Sequence, residues 1–332
     1  MIGPRLLERA RHGPVHFVGV GGAGMAGLAR VLAGRGVRVT GCDRDGTNPA
    51  LDDLRAAGIA VVPGHDPAHV DAAAAVVVTA AVPAEHPEVE AARRRGIPIW
   101  RRARALGEVV NEGRLVAVAG THGKTTTTAM TARALAALGL DPTALVGGRV
   151  AEWGGNARIG ARDLYVVEAD EYDRAFLELR PQLAVITSVE PEHLDCYRDR
   201  DDLETAFAQF AAPARDGLGL VVCADDAGAA RVARAAGGDA LAYGLGAGAA
   251  LRASNVALRE SSASFDVHWE TRPLGRFELR VPGEHNVRNA LAALGAALRW
   301  TGGAADLERV RDALAGFRGV ERRFQIVGSA GG

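Results

Sequence analysis

Apolar positions along the chain come in short runs separated by longer alanine-rich stretches with helical spacing. Val15 to Val20 is the first run, and Gly19-Val20-Gly21-Gly22-Ala23-Gly24-Met25 follows directly. Helical residues then extend from about Met25 to Ala33, and a second run, Val37 to Cys42, ends at Asp43. Further strands are expected at 59–62, 75–80 and 97–100, then again at 115–119, 143–146, 164–168, 183–187 and 219–223. Strands alternating with helices predict an α/β chain built on doubly wound parallel sheets. Residues 251–281 differ, because VALRESSASFDVHWE and GRFELRV alternate polar with apolar, as antiparallel strands do. Helical patterns at about 129–138, 285–300 and 306–315 complete the reading.

The apolar run Leu115-Val116-Ala117-Val118-Ala119 leads into Gly120-Thr121-His122-Gly123-Lys124-Thr125-Thr126 and then a helix. Strand, glycine loop and helix N-terminus form the context in which backbone N–H groups bind phosphate. Lys124 is the single lysine; every other one of the 39 Lys+Arg side chains is arginine. A compact ammonium survives here because a planar guanidinium is too wide for a loop wrapped around phosphate. Lys124 would neutralise the β/γ-phosphates and the Thr125 hydroxyl would ligate Mg²⁺. The general loop pattern wants glycine at 118, where this chain has Val118, so the loop is a shortened variant.

Gly19-x-Gly21-x-x-Gly24, with Asp43 at the end of the next strand, fits a dinucleotide fingerprint and leaves the nucleotide unspecified. Glu168-Ala169-Asp170-Glu171-Tyr172-Asp173 ends the strand at 164–167, where a carboxylate can hold Mg²⁺ beside a phosphate loop. Four acids in six residues would repel one another without a cation, or else face water. Glu190-Pro191-Glu192-His193-Leu194-Asp195 ends the strand after it, within reach of the same crevice. Pro282-Gly283-Glu284-His285-Asn286 reads as a helix start. Arg322 and Arg323 offer forks suited to phosphate oxygens. The six arginines from Arg93 to Arg104 read mostly as solvated surface.

Composition narrows the picture. A length of 332 residues allows two domains, with the boundary near 103–113. The net charge of −1 argues against a nucleic-acid surface. The longest nearly apolar run, 72–82, is too short to cross a bilayer, and no signal peptide fits before Val15. Cys42, Cys196 and Cys223 are scattered and read as reduced cytoplasmic thiols without metal-type spacing.

In this order and spacing, HFVGVGGAGMAGLA, AVAGTHGKTTTT, EADEYDRAFL, EPEHLDCY, PGEHNVRNA and GFRGVERRFQ resemble the Mur ligases of peptidoglycan synthesis. The resemblance covers the whole chain. It implies a Rossmann-like UDP-substrate domain over 1–106, with Gly19, Gly21, Gly22, Ala23, Gly24, Met25 and Asp43 at the uridine nucleotide. A central P-loop ATPase domain would cover 107–320, and 321–332 would lead to an absent C-terminal amino-acid-binding domain. It further implies Gly120 to Thr126, His285, Asn286 and Arg323 at ATP, Thr125 and Glu168 on a first Mg²⁺, and His193 on a second cation. Lys124, Glu168 and His193 would be the catalytic set. Later-acting Mur ligases place a carbamylated lysine on that second cation, and this chain has none to spare; nitrogen ligation by His193 suits Mn²⁺ better than Mg²⁺.

The implied reaction phosphorylates the lactyl carboxylate of UDP-N-acetylmuramate with ATP, after which the amine of L-alanine displaces phosphate. A family member that recycles murein tripeptide onto the same sugar shares most of these blocks; EADEY and GEHN lean slightly towards it, whereas GVGGAGM and the RRFQ ending lean towards the alanine-adding reaction, which is favoured. An NAD-dependent oxidoreductase using only the first loop, or a nucleotide-binding module without catalysis, also stays open. The second phosphate loop argues against the oxidoreductase, because hydride transfer does not need one.

Overall fold

The computed structural model describes residues 5–192 and 195–321. It is an α/β chain with two sheets, each folded around its own phosphate-loop-like turn. The first half runs α1 (Leu6–Arg9), β1 (Val15–Val18), α2 (Ala23–Gly34), β2 (Val39–Asp43), α3 (Pro49–Ala56), β3 (Ala60–Pro63), β4 (Ala75–Val78), α4 (Pro87–Arg94), β5 (Ile99–Arg101) and α5 (Arg102–Val110). Its strands pair in parallel in the order β3-β2-β1-β4-β5. All four residues of β1 and of β4 are buried, which is why, His16 apart, both read as apolar runs. Strand order reverses between β1 and β4, and a crevice opens there at the strands' C-terminal ends.

The second half comprises β6 (Arg114–Ala119), α6 (Lys124–Ala137), β7 (Pro142–Val150), β8 (Gly155–Arg158), β9 (Ala161–Glu168), β10 (Leu183–Ile186), α7 (Arg200–Ala211), β11 (Gly219–Cys223), α8 (Ala227–Ala236), β12 (Ala240–Gly244), β13 (Leu251–Leu258), β14 (Ala263–Trp269), β15 (Arg272–Leu279), α9 (Glu284–Trp300) and α10 (Leu307–Ala315). Ten strands pair in the order β15-β14-β13-β12-β11-β10-β6-β9-β7-β8. The run from β13 to β7 is parallel, and β8, β14 and β15 add antiparallel edges, the last two from the alternating segment at 251–281. β6 is the switch strand here, with β9 on one side and β10 on the other.

Several expected boundaries move. α6 starts at Lys124 rather than 129, because Thr125 to Thr128 continue the helix from the loop despite their β-branched side chains. β8 and β12 were not expected; GNAR and ALAYG are short and carry no clear alternation. Residue 106 lies inside α5.

The two sheets meet through α2, which packs on β7 and β8. A side chain at Gly27 would press on Asn156, and one at Gly34 would collide with Ile159, so glycine lets the helix approach. Arg30 donates to the Trp153 carbonyl at 3.0 Å, and Arg149 grips Asp53 through two nitrogens at 3.0 and 3.2 Å.

Phe176, Phe207 and Phe210 form one buried aromatic cluster, with ring centroids 5.0 Å apart for both Phe176 pairs. It anchors α7 to the 3₁₀ segment at Tyr172–Glu178, just after the acidic residues. Phe207→Ala should cost about 3–5 kcal/mol, as a fully buried aromatic truncation does. Urea unfolding would read the loss, and a cost under about 1 kcal/mol would mean the cluster is not a packing anchor.

Candidate active site

The first loop turns through Gly19, whose φ of +75° suits glycine. Gly22 is the N-cap of α2, so Ala23, Gly24 and Met25 form the helix's first turn. Asp43, at the end of β2, accepts the Gly21 N–H at 2.8 Å, and Asn48 donates to the Gly21 carbonyl at 2.9 Å. A Cβ at Gly21 would lie 2.8 Å from the Asp43 carboxylate, which explains the second glycine of the fingerprint. Asp43 is therefore engaged with its own loop.

The second loop leaves β6 at Gly120, and Gly123, at φ +80°, caps α6. The Thr121 N–H goes to the Ser188 carbonyl at 2.9 Å and the His122 N–H to the Ser188 hydroxyl at 3.0 Å. These amides tether the loop to the end of β10, so the first-turn amides of α6 are the ones left to face an anion. Thr126 follows in that turn. The Thr121 hydroxyl accepts the Glu190 N–H at 2.9 Å, and His122 lies 3.8 Å from Glu190.

Lys124 folds back over its loop. Nζ donates to the Gly120 carbonyl at 2.5 Å, to the Thr121 carbonyl at 3.2 Å and to Glu171 Oε1 at 2.8 Å. Glu171 is almost fully buried, and the Tyr197 hydroxyl donates to its carbonyl at 2.5 Å. The chain leaves this position through Asp173 and Arg174, both left-handed at φ 52° and 53°. Arg174 is held there by Asp202 at 2.7 Å and lies over the Tyr197 ring. Backbone strain of this kind persists where surrounding contacts fix it.

Glu168 ends β9 in register with Val118, one strand over from the loop. The Thr125 hydroxyl donates to its Oε1 at 2.9 Å, and the Gly147 N–H donates to Oε2. A side chain at Gly147 would crowd that carboxylate. Asp170 pairs with Arg102 at 3.1 Å. Two members of the acidic run have basic partners: Arg102 meets Asp170 and Lys124 meets Glu171. Arg102 also departs from the solvated reading of 93–104; it is half-buried against Gly24, and Trp100 is buried.

One cleft of about 400 Å³ joins the two loops. Gly22 to Met25, Thr79 and Arg102 line it from the first sheet, and Lys124, Gly147, Asn156, Glu168 and Asp170 from the second. A second cavity, of about 640 Å³, lies across the phosphate loop and is lined by His122, Gly123, Thr126, His285, Asn286 and Asn289 with Phe317 and Val320. Gly283 has φ +95°, and a Cβ there would collide with the His285 ring. Burial, with a smaller contribution from Arg288, pushes the His285 imidazole down from its ordinary range. Asn286 donates to the Pro282 carbonyl at 2.7 Å. Asn289, one turn further along α9, accepts from the Thr127 hydroxyl at 3.1 Å and sits against Gly123. Asn289 and Asn156 were missed in the sequence, although the N-x-x-N spacing of 286 and 289 puts both on one helix face. His193 and Arg323 lie outside the described residues.

Residues 14–114 match the Mur ligase family catalytic domain, and residues 118–297 match the Mur ligase middle domain. The chain belongs to the Mur ligase family. It is 47% identical over 96% of its length to a UDP-N-acetylmuramate–L-alanine ligase of Rubrobacter xylanophilus, and covers 69% of that relative. A ligase of the same name from Acidothermus cellulolyticus is 45% identical, with 99% of this chain and 68% of the relative covered. The chain therefore spans about two thirds of the length of these Mur ligases. Among solved structures, the UDP-N-acetylmuramate–alanine ligase of Thermotoga maritima superposes with a TM-score of 0.85 at 30% identity, covering 96% of this chain and 72% of that one. The UDP-N-acetylmuramate:L-alanyl-γ-D-glutamyl-meso-diaminopimelate ligase of Neisseria meningitides gives 0.81 at 30% identity, over 93% of this chain and 99% of that one. Among the described residues, no helix is long and apolar enough to cross a membrane.

Proposed function

We propose that this chain carries the UDP-substrate and ATP sites of an ATP-dependent UDP-N-acetylmuramate–L-alanine ligase of peptidoglycan synthesis, working in the cytoplasm. The observation that carries the reading is the single cleft lined by both loops, with Lys124 and Glu168 facing Gly22 to Met25. Residues up to the 103–113 connection would form the substrate unit and those after it the ATPase unit. In that arrangement the first loop and the start of α2 hold the uridine diphosphate. Its sugar then extends towards Asn156 and Arg102. The first-turn amides of α6 and Lys124 hold the ATP phosphates, and the half-apolar cavity beside His285 and Asn286 takes the adenine.

The oxygen donors of Thr125 and Glu168, 2.9 Å apart, fit Mg²⁺. Mg²⁺, when bound there, supplies charge that offsets repulsion between anionic reactants. Lys124 exchanges Glu171 for phosphate oxygens, and the cleft aligns the lactyl carboxylate with the terminal phosphate. The carboxylate oxygen attacks phosphorus and ADP leaves. The resulting acyl phosphate then has a leaving group, and the alanine amine displaces phosphate from it. His193 is proposed as a donor to a second cation, which Mn²⁺ could replace, and Arg323 as a phosphate contact; both rest on the motifs alone.

Mg·ATP and UDP-N-acetylmuramate should each raise the melting temperature of this chain, by an amount equivalent to about 2.7 kcal/mol at 100-fold saturation. In a version extended to the full length of its relatives, phosphate release from ATP should require both UDP-N-acetylmuramate and L-alanine. Release with the murein tripeptide but not with L-alanine would favour the recycling reading, and nucleotide binding without any release would leave only a binding module.

A further inference from the structure

Four histidines and a thiol converge on a carboxylate of the first sheet that the ligase reading does not use. Glu88, in the first turn of α4, is fully buried. Its oxygens lie 2.7 Å from His69 Nδ1, 3.1 Å from Cys42 Sγ, 3.3 Å from His65 Nδ1 and 3.8 Å from His86 Nδ1. His16, on β1, is also buried, and its Nδ1 is 2.9 Å from the Thr40 hydroxyl. His16 Nε2 has no hydrogen-bond partner among the described residues. A buried polar nitrogen left so is costly unless something else takes its lone pair. One donor atom each from His16, Cys42, His69 and Glu88 lies within 4.8 Å of the other three.

We propose that His16, Cys42, His69 and Glu88 bind one Zn²⁺ that staples the first sheet together. The donor types, two imidazoles, a thiolate and a carboxylate, are those zinc takes in four-coordinate sites. Zinc–ligand bonds of about 2.0–2.3 Å place tetrahedral donors about 3.3–3.8 Å apart, so the shortest contacts need to open by roughly half an ångström. The Thr40 contact occupies His16 Nδ1 and presents Nε2, the outer-shell arrangement that orients a ligating histidine. On binding, the Cys42 S–H bond breaks, its electron pair forms the Zn–S bond, and the proton passes to water. His65 lies 3.3 Å from Cys42 Sγ and stacks edge-on with His86, so these two partly exposed rings form the outer wall. His69 is partly exposed as well, so the cluster has a side towards solvent.

The four ligands come from β1, β2, the turn after β3 and α4, so one ion would cross-link four elements of the first sheet. The Cys42 carbonyl also accepts the Gly19 and Val20 N–H groups, each at 2.9 Å. A metal holding Cys42 would therefore stiffen the first glycine loop from beneath. The site stands whether or not the ligase reading does.

Protein stripped with a chelator and titrated with Co²⁺, without nucleotide, tests it. One equivalent should produce a thiolate-to-cobalt charge-transfer band and intense tetrahedral visible bands, and Zn²⁺ should displace them while raising the melting temperature. Cys42→Ser should lose the charge-transfer band, whereas Cys196→Ser and Cys223→Ser should keep it. His69→Ala, at the partly exposed mouth, should keep the fold and weaken Co²⁺ binding by about 10-fold or more. Should Cys42→Ser fail to fold, His69→Ala decides. No band in the wild type, a band that survives Cys42→Ser, or unchanged Co²⁺ affinity in His69→Ala would overturn the site and leave a hydrogen-bonded His–Glu cluster.

Discussion

Lys124→Arg should bind Mg·ATP no better than Lys124→Ala, each about 10²–10³-fold weaker than the wild type, the size of losing a preorganised charged donor. The ammonium already contacts the Gly120 and Thr121 carbonyls and Glu171. A guanidinium is broader and flat, and its planar fork cannot reach the same three acceptors from the same stem. Titration calorimetry on the two variants measures the effect. Arginine binding within about threefold of the wild type would refute the argument from the lone lysine. A Glu171→Gln variant separates charge from space. It removes the partner that Lys124 must leave, so its ATP affinity should not fall with that of the lysine variants.

That Lys124 could be singled out from sequence, while its partner could not, has a physical cause. Glycine loops are local: the turn, the helix start and the strand before it lie within a dozen residues, so Gly19 to Met25 and Gly120 to Thr126 could be read directly. The alternation of 251–281 likewise predicts paired edge strands, and β13 to β15 are those strands. Glu171 meets Lys124 across 47 positions, and Arg102 meets Asp170 across 68, through a sheet order that no local pattern states. Arg102 was hidden among surface arginines for that reason. Asn156 belongs to a four-residue edge strand whose partner helix lies 133 positions earlier. The His–Cys–Glu cluster was invisible for the same reason: its members are ordinary singly, and β1, β2, the turn after β3 and α4 gather them only in three dimensions.

Glu168→Gln should abolish the metal-dependent part of ATP binding while leaving the rest. In the wild type the carboxylate accepts from the Thr125 hydroxyl through Oε1 and from the Gly147 N–H through Oε2. A glutamine amide is the same size, but it has one acceptor oxygen and turns an NH₂ towards the other donor. It also removes the negative charge that Mg²⁺ requires of a protein ligand. Mg·ATP affinity should therefore fall by about 100-fold, at least the loss seen when the surroundings of a metal site are disrupted. ATP measured with excess chelator should bind the variant and the wild type alike, since the α6 amides and Lys124 are untouched. Glu168→Ala should behave the same way, which separates loss of the metal from a misdirected amide. If Mg²⁺ still strengthened ATP binding in both variants to the wild-type extent, the cation would lie elsewhere, and Glu168 would serve only to tie β9 to Gly147 and the start of α6.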